Sequence, residues 1–185
     1  MDKYTLPTSV KLGNHVCEFN SDFRDVLNIF NILSEPNLLQ EEKIIIALEN
    51  FYKSDNYIDY IEDAIKFMFE FINGGEVEDS NTISSKPPLY SWEQDFTLIV
   101  APINRVIGKD VRGMEYLHWW TFLSAFMEIG ECTFNTYVGI RDKLNRGKKL
   151  ESWEEKVFKE NRDKIILKKK YDDTTQDIIN DILGI

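Results

Sequence analysis

Apolar residues recur three and four apart over most of this chain, and only the N-terminus departs from that rhythm. There Val10 and Leu12 alternate with Ser9 and Lys11, Gly13-Asn14 supplies a two-residue turn, and Val16 to Phe19 returns. The pattern predicts a β-hairpin over residues 8–19 in which Val10 pairs with Cys17 and Leu12 with His15. A lone two-stranded ribbon is marginal in water, so it should lie against helices.

Helical spacing then takes over. Asn20 or Ser21 is placed to cap a segment opening Asp22-Phe23-Arg24, whose Phe23, Val26, Leu27, Phe30 and Leu33 form one stripe ending before Pro36. A second helix is expected from about Gln40 to Tyr52, with Ile44, Leu48 and Phe51 inward, and a third from near Asn56 to the stop at Gly74-Gly75. Residues 74–90 are rich in Gly, Ser, Asp, Glu and Pro and read as a mobile surface loop. From Ser91, Trp92, Phe96, Ile99, Val100, Ile103, Val106 and Ile107 share a face, and Pro102 inside that pattern predicts a kink or break near residues 98–102.

The next segment, opening at Glu115, projects as a nearly all-apolar helix: Leu117, Trp119, Trp120, Phe122, Leu123, Phe126, Met127 and Ile129 cover most of its circumference. Such a helix should be buried on several sides. A narrow polar line of Glu115, His118, Thr121, Ser124 and Glu128 remains. A shorter helix follows near Phe134 to Lys143, then a basic helix begun by a Ser152/Glu155 capping box and running toward Lys170, with Trp153 and Phe158 on its inward face. Ile178, Ile179, Ile182 and Leu183 stripe a short final helix. The fold class is therefore mainly α: a compact multi-helix domain over residues 1–171 with an N-terminal hairpin, and a helical tail over residues 172–185.

Charge changes the picture in one place. The chain carries a net −10, yet residues 141–170 sum to +6 and the remainder to −16. A basic arm on an acidic body suits nucleic acid, an acidic partner or the acidic body of a neighbouring copy. Nucleic acid is the weaker choice, because only Trp153 and Phe158 interleave the lysines. Cys17 and Cys132 are too few for a disulfide framework or a metal cluster and read as small core residues of a reducing compartment. No apolar h-region opens the chain and no run approaches a bilayer span, so a soluble, membrane-free protein is expected.

Candidate chemistry is sparse. His15 and His118 lie far apart, neither with a second ligand at metal spacing. The carboxylates fall on a loop or on wet helix faces, Gly74-Gly75 follows a helix rather than preceding one, and no nucleophile elbow occurs. His118 with Glu115 as its orienter is the one conceivable general base, but no nucleophile accompanies it. A histidine hydrogen-bonded within a packed core accounts for it more simply. No catalytic residue, metal site or cofactor is assigned.

At Leu117-His118-Trp119-Trp120, followed by Phe122, the chain resembles the bacteriophage "gene product fifteen" tail family. Three other places carry the resemblance: a hairpin leading into Asp22-Phe23-Arg24, Asp95 in the helix before the Trp-Trp segment, and Val138-Gly139-Ile140-Arg141 before a Lys-rich helix. It spans roughly residues 6–171. The resemblance implies a non-enzymatic, largely helical protein encoded beside the tape-measure gene of a tailed phage, acting as a tail assembly chaperone. Its expected partners are the tape-measure protein, the tail tube protein and further copies of itself. It would work in the host bacterial cytoplasm and be absent from the mature virion. The alternative is a structural virion protein of the tail or head–tail junction. Lys156, Lys159 and Arg162 are the expected partner-binding residues, meeting a neighbouring copy or the tape measure.

Overall fold

In a computed structural model, which describes residues 4–76 and 87–168, the chain is mainly α, with eight α-helices and one two-stranded antiparallel sheet among the described residues. The residues gather into two compact units. One holds residues 4–76 with Glu115–Leu123, and the other holds 87–114 with 124–168. The expected C-terminal helix and most of the expected surface loop lie outside the described residues.

The first unit opens with β1 (Ser9–Leu12) and β2 (His15–Glu18) in the register the alternation predicts, Val10 opposite Cys17 and Leu12 opposite His15. Gly13 carries φ +54° at the first turn position. A Cβ there would also fall 2.2 Å from the Tyr60 ring, so both backbone and packing require glycine. Then come α1 (Phe23–Leu33), α2 (Gln40–Phe51) and α3 (Ile61–Ile72). Expected as the first turns of α3, Asp55–Tyr60 form a separate 3-10 helix. Phe19 leaves the hairpin and is buried, stacked on Phe51 at 4.8 Å and edge-on to Phe71 at 4.7 Å. This aromatic cluster is the centre of the unit's core.

The second unit is built on α4 (Trp92–Ile107) and α6 (Thr133–Asn145), with α7 (Ser152–Glu160) and α8 (Arg162–Ile165). Ser91 caps α4 by accepting from the Gln94 amide. Pro102 does not end α4, which continues to Ile107, where Gly108 stops it. Ile165 is fully buried with Tyr137 and Ile140, flanked by Leu98, Leu150, Val157 and Phe158. The single basic helix expected from residue 152 toward Lys170 is broken at Asn161, whose side chain bonds back to the Val157 carbonyl and closes α7. Its N-terminus is also displaced by one residue: Glu154 reaches back to the Glu151 amide, in place of the expected Ser152/Glu155 pair. Trp153, expected inward, is 57% exposed.

The helix of the Trp-Trp segment, α5, covers only Trp119–Met127. Glu115 to His118 precede it, so the polar line expected along one helix face does not exist as such. Met127, expected to be packed, is 77% exposed, and Thr121, Ser124 and Glu128 face solvent.

Candidate functional site

The residues singled out in the sequence collect into two polar nodes, one in each unit. In the first unit, Ser21 to Phe23 run antiparallel to Leu117 to Trp119. The Trp119 amide donates to the Ser21 carbonyl at 2.7 Å and the Phe23 amide donates to the Leu117 carbonyl at 3.0 Å. The central pair of this bridge is Asp22 and His118, and each caps a helix that starts there.

Asp22, not Asn20 or Ser21, caps α1: its Oδ1 accepts from the Arg24 amide at 2.9 Å, and its Oδ2 accepts from the Leu117 amide at 2.8 Å. The Arg24 guanidinium folds onto the same carboxylate and lies over the Phe23 ring at 4.7 Å. Ser21 is drawn away from capping by the Tyr116 hydroxyl, 2.7 Å from its own.

His118 caps α5 in the same manner, its Nδ1 accepting from the Trp120 amide at 3.0 Å. That assignment leaves the hydrogen on Nε2, which donates to the Pro7 carbonyl at 2.9 Å, so the ring is held neutral as one tautomer. Burial lowers its pKa from the ordinary value, opposed by the Pro7 bond. Its neighbours are the Phe71 and Trp120 rings, both edge-on. Glu115 is exposed and is no orienter of this ring. Both ring nitrogens are engaged with backbone, so the conceivable general base is a structural histidine.

The two tryptophans end α3. A helix leaves its last four carbonyls without intrahelical donors, and here each finds one. Asn73 and Gly75 amides serve Phe69 and Glu70, and the Gly74 amide serves Phe71. The indole N–H of Trp120 donates to Phe71 at 2.9 Å and that of Trp119 to Ile72 at 2.8 Å. Gly75, at φ +86°, turns the chain away, and a Cβ on it would lie 3.0 Å from the Trp120 ring. The glycine stop and the Trp-Trp pair are thus one device. Beneath it Phe23 stacks on Phe122 at 4.5 Å.

In the second unit, Asp95 and Arg141 form a buried ion pair, with side chains 1% and 5% exposed. Arg141 donates through Nη1 to Asp95 Oδ2 at 2.7 Å and through Nη2 to Oδ1 at 2.9 Å. The remaining N–H groups meet the carbonyls of Leu89 (3.0 Å), Lys164 (2.9 Å) and Ile165. A guanidinium has five N–H groups, and all five are matched. Asp95 also accepts from the Ser91 amide. Gln94, one residue earlier, binds the same returning strand of chain: it donates to the Lys164 and Ile166 carbonyls and accepts from the Lys168 amide. Sequence reasoning picked out Asp95 and Arg141 separately but not their partnership, and it missed Gln94.

The expected basic arm, as far as Lys168, is built into the second unit. Arg141 is internal, Lys143 grips both oxygens of buried Glu154 at 2.7 Å, and Arg146 pairs with Asp142. The Lys143 ammonium holds the Glu154 carboxyl below its ordinary pKa. Lys156, Lys159 and Arg162, by contrast, are exposed and enter no ion pair among the described residues. Among the described residues no group of His, Cys, Asp or Glu is placed to hold a metal ion, and none of their helices is long and apolar enough to cross a membrane.

No curated protein and no solved structure matches the chain. A family model does: that of the Bacteriophage Gp15 protein matches residues 3–172, a span that takes in both polar nodes and the Trp-Trp device, and the chain belongs to this family of phage structural and morphogenesis proteins.

Proposed function

We propose that the protein is a non-enzymatic tail assembly chaperone, which binds the tape-measure protein and promotes addition of tail tube subunits around it in the host cytoplasm. Family membership supports a role in phage morphogenesis. The observation that carries the finer reading is the division of labour among side chains. The polar groups best suited to chemistry, His118, Asp22, Asp95 and Arg141, are engaged within the fold, while Leu39, Ile45, Val106, Tyr116 and Met127 stand exposed on or beside helices of both units. A tape-measure protein is a long helical chain whose apolar faces need shelter until the tube encloses them. Many shallow apolar contacts along one ligand give avidity yet release stepwise as tube subunits arrive.

Co-expression with fragments of the tape-measure protein tests this reading. A soluble complex should co-purify, with fragments that aggregate alone kept in solution, and failure of every fragment to co-purify contradicts it. Mass spectrometry of purified particles tests release. Absence from the virion is the expected result, and a stoichiometric copy number would instead make it a structural part of the tail or head–tail junction.

A further inference from the structure

Residues 162–168 form a strap that the second unit holds by side chains from other helices. Ile165 is fully buried with Tyr137 and Ile140 of α6, in a seat bordered by Leu98, Leu150, Val157 and Phe158. The Lys164 and Ile165 carbonyls accept from the Arg141 guanidinium. Gln94 donates to the Lys164 and Ile166 carbonyls and accepts from the Lys168 amide.

One residue joins this strap to α7. Asn161 follows the last turn of α7 and precedes α8, with φ −127° and ψ 25°, outside the helical range. The break costs helix bonds. A continuous helix would bring the amides of Arg162, Asp163 and Lys164 to the carbonyls of Phe158, Lys159 and Glu160, whereas here the Lys164 amide donates to the Asn161 carbonyl. No glycine or proline lies between Ser152 and Lys168, and the residue at the break is among the poorer helix formers of the stretch.

With Asn161 helical, α7 and α8 would run as one helix from Ser152 to Ile165 and regain those bonds. Ile165 would then stand about 12 Å along the axis from Val157, too far for the two to border one seat. Straightening within a single molecule therefore empties the seat on α6 and takes two acceptors from the buried Arg141 guanidinium. A second copy straightened in the same way carries the identical side chain and the identical carbonyls.

We infer that two copies exchange their straps, each straightening at Asn161 and seating its residues 162–168 on Gln94, Arg141 and the Tyr137/Ile140 seat of the other. The strap keeps its contacts in both forms. The difference is confined to the hinge bonds gained and the freedom lost on association, so protein concentration decides between them. Each copy gives one strap and receives one, so growth stops at two. This exchange does not depend on tape-measure binding.

Sedimentation and circular dichroism of the full-length protein, with Asn161→Ala and Asn161→Gly beside the wild type, test it. Wild-type protein should form a dimer whose share rises with concentration, and the helix signal should rise with it. Asn161→Ala places a better helix former at two hinges per dimer and should tighten the dimer about tenfold, while Asn161→Gly should loosen it about threefold. Exchange itself is read in dimers grown from equal parts of light and isotopically heavy protein, treated with a lysine-directed photo-crosslinker. Products joining Lys168 to the chain around Gln94 should include mixed light and heavy pairs. A wild-type protein that is monomeric at every concentration overturns the inference. So does a dimer indifferent to residue 161, or one whose Lys168 products are all of a single isotope, as for copies that associate with each strap at home.

Discussion

The two polar nodes hold their units by opposite means. In the Asp22–His118 bridge, two helix starts lie side by side. A neutral ring and a carboxylate each cap one of them, and nearly every partner is a backbone group near the start or end of a helix. In the Asp95–Arg141 node, a full ion pair sits in the interior, and the guanidinium reaches three carbonyls on two stretches of chain far apart in sequence. The first arrangement orients helices at modest cost because no net charge sits on the ring. The second removes two charges from water, a penalty of several kcal/mol per ion, and is tolerable only because every donor is met. A node of the second kind fails abruptly when one member is lost, and one of the first kind weakens in steps.

The largest expected effect follows from that asymmetry. Arg141→Ala leaves the Asp95 carboxylate buried without its cation and should cost about 3–5 kcal/mol in urea denaturation. Arg141→Lys should recover only part of it, since an ammonium has three donors for five acceptors. Replacing both residues by apolar ones of similar size should cost less than Arg141→Ala alone. A double mutant as unstable as the sum of the two single mutants would show that the two residues do not act as one node.

On the other side, Trp119→Phe removes an indole donor from the Ile72 carbonyl, which has no other donor among the described residues, and should cost about 1–3 kcal/mol. Trp120→Phe should cost less, because the Phe71 carbonyl retains the Gly74 amide. Equal losses would contradict the view that the two indoles complete the end of α3. Gly75→Ala should cost about 1–2 kcal/mol from the left-handed backbone alone, and more where the Trp120 ring does not yield. Trp120→Ala in the same background should relieve that second part, which thermal denaturation of the double mutant reads directly.

These nodes mark where sequence reading succeeds and stops. The hairpin register was legible because Gly13-Asn14 and the Val10/Leu12 alternation act over adjacent residues, where turn and pleat geometry leave one solution. The start of α5 was not. Glu115 and His118 stand three apart, as on a helix, yet the Leu117 backbone is taken up by Asp22 and Phe23, nearly a hundred residues earlier. Ser21 and Asp22 are both good caps by type, and what separates them is distant in sequence: the Tyr116 hydroxyl meets Ser21, while the Leu117 amide donates to Asp22. Beyond the break at Asn161, residues 164–168 are held by Arg141 and Gln94, which no local pattern announces. Lys43, by its type a surface residue, is 1% exposed in α2. What the residues reveal alone is periodicity and local turn chemistry, and what they conceal is the pairing of polar groups distant in sequence.

The central claim is that the polar chemistry of the Trp-Trp segment serves the fold, leaving binding to the exposed faces. The direct measurement is the protonation of His118 by nitrogen NMR as pH is lowered. Burial lowers its pKa below the ordinary 6.5, so the unfolded chain takes up a proton first as pH falls through that value. The stability that His118 contributes is complete above pH 6.5 and is lost below it, toward the folded pKa, at up to about 1.4 kcal/mol per pH unit. The account predicts a neutral ring with its hydrogen on Nε2 at pH 6.5 and somewhat below, and a pH-dependent loss of stability that His118→Gln removes. A ring that titrates at or above 6.5, or that carries its hydrogen on Nδ1, would mean that His118 is free for proton transfer and does not cap α5.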